Sequence, residues 1–540
     1  MVKKQYFVKS SFCLLILLLN CERGKSQNNY EPKKSNAIHF EIKADNRMFG
    51  DTMILQIYEN TLGNGLDEFI PSKDFYAVSA KEDVYKFDIS LSGTTGYLCL
   101  KNKNLISNSA IDILKFYFFE SGDSISIFIK KDSKYLTEIN KTYNRWSDLY
   151  FESYYLLENY SLYFHGVGSD KYKCRYEADR LSSAIFGNGR VFDNNGNFVN
   201  NSFYDLAQKQ SLSVLEKYRS KISRFSYGVM LADFISKYYN DWLSNFIYDW
   251  KVLKEGSDHA LQSKIRMNLI SKLDFKMKNE LNEVAKSQSA FYALAIFKQY
   301  QVLFEVNGDA NFLYNKLKSQ YKGLLRDKLL TIFILRELNK LPSSEQELVY
   351  YDARFTLSSD YCISILQTHF NALGIGKHAY NFALPDMDGN IINLDDFKGK
   401  VIIIDFWFTG CSACRDLFSN SISKVEERYQ NDSNVVFISI SIDRDKVKWI
   451  NSIKSQKYTS LNSVNLFTSG QGAENEIIKH YKIQAYPTLL LVDQYGKIFN
   501  SNSNRLREAE FLTKEIERAL TLTINSKMKN YSLKVSDSNF

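Results

Sequence analysis

Two cysteines three positions apart, Cys411 and Cys414, are the residues of this chain best suited to do chemistry. They follow an apolar segment, 401–408, that is typical of a buried strand, and they open a segment with helical periodicity. Two thiols at this spacing can close a small disulfide ring and open it again. The start of a helix supplies unpaired backbone N–H groups and the positive end of the helix dipole. Both favour a thiolate, so we expect Cys411 to be a nucleophile near neutral pH.

A zinc half-site is the main alternative for the same two cysteines. A structural zinc ion takes four ligands, usually with a second pair of Cys or His residues. The chain has no second CxxC or CxxH segment, and its six histidines are scattered. The sequence therefore predicts a redox pair, with neither a metal nor an organic cofactor.

Length and composition restrict what surrounds this pair. A chain of 540 residues is too long for one core and suggests about three domains. The net charge of +8 is spread along the chain, and no basic stripe with interleaved aromatic residues occurs. Nucleic-acid binding is therefore not supported.

The first residues, 1–21, are typical of an export signal. Lysines precede a short apolar run over 12–19, which is too short to span a bilayer. The run ends in Leu-Leu-Asn-Cys, which resembles the lipobox of bacterial lipoproteins and makes Cys21 the expected lipidated residue. Asn20 departs from the small residue usual at that position, and a plain secretory signal with an incidental Cys21 is the alternative. The resemblance implies a membrane contact through a lipid anchor.

Patterning divides the rest of the chain. In residues 37–130, apolar and polar side chains partly alternate, as they do in strands. This pattern predicts a small antiparallel β-sandwich-like domain. Residues 135–370 predict an all-helical region, and 375–525 alternate between strands and helices, as in an α/β fold with a sheet covered on both faces. Residues 526–540 form a polar tail. The chain is therefore predicted to be multidomain.

Three further cysteines, Cys99, Cys174 and Cys362, lie in unrelated contexts. A disulfide framework would be denser, so we interpret them as small buried apolar residues. In an oxidising compartment Cys174 could pair with Cys362, which the sequence alone does not decide.

The α/β segment resembles a known family. Its order is a hairpin around Asp388-Gly389, a strand, the Cys-x-x-Cys helix, further strand and helix units, and then Ala-Tyr-Pro-Thr at 485–488 before a strand. This order resembles the thioredoxin fold. The segment 406–414 and the leader 382–400 are similar to those of the TlpA/ResA thiol–disulfide oxidoreductases. The whole arrangement resembles large TlpA-like lipoproteins of Bacteroidetes-type bacteria.

The resemblance implies roles for three residues near the thiols. Cys411 is the attacking thiolate, and Cys414 resolves the mixed disulfide by forming the Cys411–Cys414 bond. Asp405, six residues before Cys411 in an apolar strand, matches the buried acid that relays protons to the inner cysteine. Burial would raise its pKa and suit it as a general base. A strand-edge carboxylate paired with a lysine is the alternative reading of Asp405.

Substrate contacts are implied at Trp407, Tyr486 and Pro487. Trp407 matches the tryptophan that packs beside the active site, although it could be plain core. Pro487 matches the proline that this fold holds in cis opposite the disulfide, which would leave the backbone of Tyr486 free to pair with an extended peptide. Otherwise a proline that opens a strand is an ordinary edge feature.

Several positions depart from the family pattern. Gly410 replaces the aromatic residue that often precedes the first cysteine, and Tyr486 stands where Thr is common. Leu417 stands where ResA has a glutamate, with Asp416 one position earlier, so the role of that glutamate is not carried over to this chain. The Ser-Ala pair between the thiols lacks the His of strongly oxidising relatives, which favours a reductant.

The sequence therefore predicts a membrane-tethered reductase of disulfides in exported proteins, facing the periplasm. The resemblance implies that a membrane thiol electron donor reduces the pair again. A disulfide-donating oxidase or isomerase is one alternative. A cell-envelope binding scaffold with a non-catalytic thioredoxin-like module is the other.

Overall fold

The structure, a computed structural model, describes residues 36–521 except for 45–51, 64–65, 67–68, 71, 80–83, 104–109, 132–159, 184–190, 194, 200–202, 255–257, 274–280 and 308–309. The predicted signal with Cys21 and the tail at 526–540 lie outside these residues. The predicted domain boundaries remain predictions. In the described part of the chain, no helix is long and apolar enough to cross a membrane.

Eight strands near the N-terminus form two four-stranded sheets. Apolar side chains from both sheets, such as Ile38, Leu55 and Ile127, share one core. Along β1 and β4, buried and more exposed residues alternate, as expected where one face of a sheet covers a core. The strands are β1 (Ala37–Ala44), β2 (Thr52–Tyr58), β3 (Lys73–Val78), β4 (Val84–Ser90), β5 (Thr95–Lys103), β6 (Ala110–Glu120), β7 (Ser124–Lys131) and β8 (Tyr160–Val167). One sheet has the order β4-β1-β7-β8 and the other β3-β2-β5-β6.

Two features of these sheets differ from the prediction. The sheets are not purely antiparallel, because β1 and β7 pair in parallel. Strand β8 lies inside the range 135–370 that we predicted to be all-helical, and it pairs with β7. Both differences arise from pairings between segments far apart in sequence, which local periodicity does not encode.

The rest of the middle region is helical. Its largest core joins helix residues such as Leu294 and Phe333 to Tyr97 and Phe116 of the second sheet. A buried polar contact reinforces this join, since the Tyr97 hydroxyl donates to Asp233 at 2.9 Å. The helices are α1 (Ser169–Ser183), α2 (Phe203–Tyr218), α3 (Arg224–Lys254), α4 (His259–Lys272), α5 (Glu283–Gln288), α6 (Tyr292–Asn307), α7 (Ala310–Gln320), α8 (Gly323–Glu337), α9 (Ser343–Thr356) and α10 (Asp360–Leu373), with a 3₁₀ turn at Leu338–Lys340.

The C-terminal region contains a five-stranded sheet of order β13-β12-β11-β14-β15. Strands β11, β12 and β13 are parallel, whereas β14 runs antiparallel to β11 and β15 antiparallel to β14. The predicted hairpin around Asp388-Gly389 is confirmed by the pairing of β9 with β10. The strands are β9 (Ala383–Pro385), β10 (Ile391–Asn393), β11 (Val401–Trp407), β12 (Val435–Ser441), β13 (Val464–Phe467), β14 (Thr488–Val492) and β15 (Ile498–Asn500).

Helices cover both faces of this sheet. Alternate residues of β11 belong to opposite cores: Ile402 and Ile404 to one, Val401 and Ile403 to the other. This explains why the strand is apolar throughout. The helices are α11 (Ser412–Leu417), α12 (Ser423–Tyr429), α13 (Lys446–Lys454), α14 (Glu476–Tyr481), α15 (Ser503–Leu506) and α16 (509–521), with a π turn at Phe418–Ile422 and 3₁₀ turns at Leu394–Phe397 and Gly472–Glu474.

Hydrogen bonds fasten the α/β region to the helices before it. The Ser501 hydroxyl donates to the carbonyl of Leu373 at 2.9 Å, and the Asn502 amide donates to the carbonyl of Asn339 at 2.7 Å. The connecting segment adds to the sheet edge, because the Gly376 N–H donates to the carbonyl of Ile498. The redox region is therefore held against the helical region rather than joined only by a linker.

Candidate functional site

A tight turn after β11 presents the two cysteines. Gly410 has a φ of +102°, a conformation that a side chain disfavours and that glycine adopts readily. Cys411 follows as the N-cap of α11, and Cys414 lies one turn further along. The two residues are joined by a disulfide, with Cα atoms 5.3 Å apart.

The two sulfur atoms have different surroundings. Cys411 retains 7% of its surface and Cys414 only 1%, so the outer cysteine is the one that a substrate can reach. The backbone N–H of Cys414 donates to Cys411 Sγ at 3.0 Å. The same N–H would stabilise a Cys411 thiolate after the disulfide opens, together with the dipole of the helix that continues through α12.

Asp443 holds the turn from the end of β12, a contact that the sequence analysis missed. Its carboxylate accepts from the backbone N–H of Thr409 at 3.0 Å and from the Thr409 hydroxyl at 2.6 Å. The Ser441 hydroxyl donates to the same group at 3.0 Å. The available signal was an acidic residue two positions after a buried strand, at the end of the sheet where β11 also finishes.

Two aromatic rings support the turn from beneath. Trp407 stacks on Tyr458 with ring centres 5.1 Å apart, and its indole N–H donates to Ser439 at 2.6 Å. The Tyr458 hydroxyl accepts from the backbone N–H of Gly410 at 3.0 Å. Trp407 packs in the same cluster as the two cysteines, but it is fully buried and presents no surface to a substrate. No local pattern in the sequence indicates that Tyr458 contacts this turn.

The peptide bond between Tyr486 and Pro487 is cis, as predicted. The Tyr486 ring packs edge-on against Phe408 at 5.6 Å and belongs to the partly buried shell of the disulfide cluster. Its hydroxyl is buried without a hydrogen-bond partner, and burial raises the pKa of Tyr486 to about 12. The Pro487 carbonyl accepts a hydrogen bond from Arg507, which the sequence analysis also missed.

Asp405 lies in the middle of the sheet. Strand β11 is central, and Asp405 faces Ser439 of β12 on one side and Leu489 of β14 on the other. The alternative of a strand-edge carboxylate paired with a lysine therefore does not fit. Its Oδ1 is buried without a hydrogen-bond partner, and burial raises the pKa of Asp405 to about 8, opposed by the positive charge of Arg507.

A small cavity adjoins Asp405. Its volume is about 10 Å³, which is room for about one water molecule. The lining includes the polar residues Ser439, Tyr458 and Thr459. A buried carboxyl beside such a cavity can exchange protons through a single water molecule.

The other thiols are remote from this chemistry. Cys99 and Cys362 are buried in the core that joins the second sheet to the helices, and Cys174 is buried in a separate core. Cys174 and Cys362 are not joined to each other. Among the described residues, no group of three or more His, Cys, Asp or Glu side chains could hold a metal ion.

Fold and site together define a thioredoxin-like unit with a redox-active CxxC pair at the tip of a helix. A thioredoxin-like family model matches residues 399–498. The thiol-disulfide oxidoreductase ResA of Bacillus thuringiensis is 31% identical over 144 residues, which cover 27% of this chain and 75% of that protein. ResA of Bacillus subtilis is 26% identical over 149 residues, which cover 26% of this chain and 78% of that protein.

Among solved structures, the C-terminal domain of a putative thiol-disulfide oxidoreductase from Bacteroides thetaiotaomicron is similar to 27% of this chain. The match has 29% identity, covers 96% of that chain and has a TM-score of 0.24. The chain belongs to the TlpA/ResA family of thiol–disulfide oxidoreductases, on the strength of its identity with ResA. It is therefore an oxidoreductase.

Proposed function

We propose that the protein is a membrane-tethered reductase that opens disulfides in exported proteins. The observation that carries this proposal is the pairing of a reachable Cys411 with a buried acid, Asp405, whose raised pKa suits proton exchange near neutral pH. Neither an organic cofactor nor a metal takes part in the proposed cycle.

The cycle begins from the dithiol form. The Cys411 thiolate attacks one sulfur of a substrate disulfide; a bond forms to that sulfur, the substrate bond breaks, and the second substrate sulfur leaves as a thiolate that takes up a proton. Cys414 then loses its proton and attacks Cys411 Sγ. The mixed disulfide breaks, and its substrate sulfur leaves as a thiolate that takes up a second proton. The substrate is then released with two thiols, and two electrons have passed from the protein to the substrate.

Asp405 is the proposed acceptor of the Cys414 proton. A thiol as buried as Cys414 does not readily ionise without a nearby base, because burial disfavours the thiolate. A carboxyl with a pKa of about 8 is close in proton affinity to a free thiol, so transfer between the two groups costs little. We propose that the proton then leaves Asp405 through the adjoining cavity.

The substrate is proposed to lie along the loop at Tyr486 and Pro487. An extended peptide can pair with backbone groups of a chain segment that no neighbouring strand occupies. The Tyr486 ring beside Phe408 supplies an apolar floor for residues that flank the substrate disulfide.

The anchor and the electron source are also proposals. Lipidation at Cys21 would tether the chain to a membrane, with the redox unit facing the periplasm. A membrane protein with a reactive dithiol would then reduce the Cys411–Cys414 disulfide by the same exchange chemistry.

Trapping tests the reductase proposal directly. In Cys414→Ala the mixed disulfide with Cys411 has no resolving thiol, so exported proteins should accumulate as covalent adducts that a reducing agent releases. Cys411→Ser combined with Cys414→Ala is the matched control, because it keeps the fold but lacks the attacking thiol. Failure to trap any exported protein in cells that express the variant would contradict the proposal.

The reduction potential separates a reductase from a disulfide donor. Reductants of this fold have potentials of about −270 mV, and strong oxidants have potentials of about −120 mV. We expect a value at the reducing end, because only Ser412 and Ala413 stand between the thiols and neither carries a positive charge that would stabilise the dithiolate form. A potential near the oxidising end would favour a disulfide donor instead.

A further inference from the structure

One side chain, Tyr458, contacts both the turn that carries the attacking thiol and the cavity beside the buried acid. Its hydroxyl accepts from the backbone N–H of Gly410 at 3.0 Å, directly before Cys411 in the chain. Its ring stacks on Trp407 with an interplanar angle of 6°. The same residue lines the cavity that Asp405 also lines. Tyr458 therefore connects two parts of the site that act on different thiols.

The cavity approaches the protein surface at two of its lining residues. Of the ten described residues that line it, eight are buried, and Tyr458 and Ser463 are half-buried. The Ser463 hydroxyl donates to Glu426 at 2.7 Å, which fixes this side chain. Because a tyrosine ring is much larger than a serine side chain, Tyr458 forms most of the boundary between the cavity and solvent.

Few titratable or charged groups lie around this cavity. Tyr458 is in its wall, and Glu426 lies behind Ser463. The positive charge of Arg507 opposes the rise in the pKa of Asp405, although Arg507 does not line the cavity. In the dithiol form, the thiol of Cys414 is the proposed proton donor. The other side chains that face Asp405 across the sheet or line the cavity near it are neutral: Ser439, Leu489, Phe418, Ile422 and Thr459.

We propose that Tyr458 is a positioning residue that serves both thiols: its hydroxyl fixes the turn before Cys411, and its ring closes the Asp405 cavity against solvent. The inference rests on the proposed roles of Cys411 and Asp405. Exclusion of bulk water disfavours the charged carboxylate, so the ring helps the acid to keep its proton up to near-neutral pH. A tyrosine that only filled space would contribute to stability but would affect neither chemical step.

Tyr458→Phe separates the hydroxyl from the ring. Phenylalanine keeps the stack on Trp407 and the wall of the cavity, but it leaves the Gly410 N–H without this acceptor. One hydrogen bond of this kind changes an equilibrium by a factor of about two to ten. Attack by Cys411 should therefore slow about threefold, while the pH midpoint of the resolving step stays where it is in the wild type.

Tyr458→Leu opens the wall of the cavity as well. Leucine lacks the aromatic ring, so water can enter beside Asp405. Hydration favours the carboxylate, and the pKa of Asp405 should fall from about 8 toward its ordinary value. We expect the pH midpoint of the resolving step to fall by about one unit. Attack by Cys411 should slow as it does in Tyr458→Phe.

The experiment mixes the full chain in its dithiol form with a small excess of an aromatic disulfide, from pH 5 to pH 9. The first aromatic thiol released reports attack by Cys411, and the second reports resolution by Cys414. Tyr495→Leu is the matched control, because Tyr495 is an exposed tyrosine in the turn between β14 and β15 and does not line the cavity. It should leave both rates and the pH midpoint unchanged.

The Asp405→Asn background isolates the effect of the cavity wall. There, Tyr458→Leu should leave the pH profile of resolution unchanged, since the carboxyl that the ring shields no longer titrates. If Tyr458→Leu does not fold, Ser463→Gly opens the same wall from its other half-buried residue and should move the midpoint in the same direction by a smaller amount.

Three results would overturn the inference: an unchanged rate of attack in Tyr458→Phe, an unmoved midpoint in the variant that opens the wall, or a midpoint that moves equally in the Asp405→Asn background. Tyr458 would then be a residue of the core and no more. Failure of the reductase proposal is seen separately, as a wild-type chain that releases neither thiol from the disulfide at any pH.

Discussion

Asp405→Asn gives the sharpest test of the buried acid. The folded chain raises the pKa of this carboxyl from 3.8 to about 8 because burial disfavours the charged form. Between these two values the folded protein holds a proton that the unfolded chain has lost, so stability falls as the pH rises. This loss of unfolding free energy is absent below about pH 4 and complete above about pH 8.

The magnitude follows from the same shift. At about 1.36 kcal/mol per pKa unit, the ionisable carboxyl costs an upper limit of about 4 kcal/mol of unfolding free energy at pH 7, and less than half of that at pH 5. Asparagine has a similar shape and never ionises. Asp405→Asn should therefore be more stable than the wild type by about 2 to 4 kcal/mol at pH 7, with almost no difference at pH 4.

Hydrogen exchange read by mass spectrometry suits a chain with several cores. Peptides from β11 and β14 report opening of the redox region, and exchange rates are corrected for the intrinsic effect of pH on each amide. Asp416→Asn is the control, because Asp416 is exposed on α11 and should change nothing at any pH. If Asp405→Asn and the wild type differ by a constant amount from pH 4 to pH 8, the carboxyl is ionised in the folded chain and the reasoning is wrong.

Three further substitutions test the support around the site and the join between regions. Asp443→Ala removes the acceptor of both Thr409 hydrogen bonds, so it should destabilise the turn by about 2 kcal/mol and slow insulin reduction several-fold. Insulin reduction at the wild-type rate would contradict this. Gly410→Ala has open space but a φ of +102°, so its urea midpoint should report a loss of about 1 to 2 kcal/mol, and an unchanged midpoint would disprove the strain. Asp233→Ala leaves the buried Tyr97 hydroxyl without its acceptor, so thermal unfolding should show that the free energy of unfolding falls by about 2 to 4 kcal/mol. An unchanged transition would count against a stabilising role for this hydrogen bond between sheet and helices.

Much of the redox unit could be predicted from the sequence, because the patterns that specify it are local. The cysteine spacing, the apolar segment before it and the turn at Asp388-Gly389 each specify structure within a few residues. The pattern therefore predicted the hairpin, the strand β11 and the helix that begins at Cys411. Strand β13 could not be predicted in this way, because its four residues give too little periodicity to distinguish a strand from a loop.

The electrostatics of the site were decided by tertiary structure. The pKa of Asp405 depends on burial between two strands and on a cation, Arg507, about a hundred residues away in sequence. Asp443 and Tyr458 reach the turn from other elements in the same way. Sequence periodicity does not predict such contacts between distant elements.

The sequence by itself determined which atoms can exchange electrons, because a CxxC pair at a helix start is a covalent and local feature. Tertiary structure alone decided how that pair is supported and how its proton is handled. Desolvation and Coulomb interactions depend on distances through space, and only packing sets those distances.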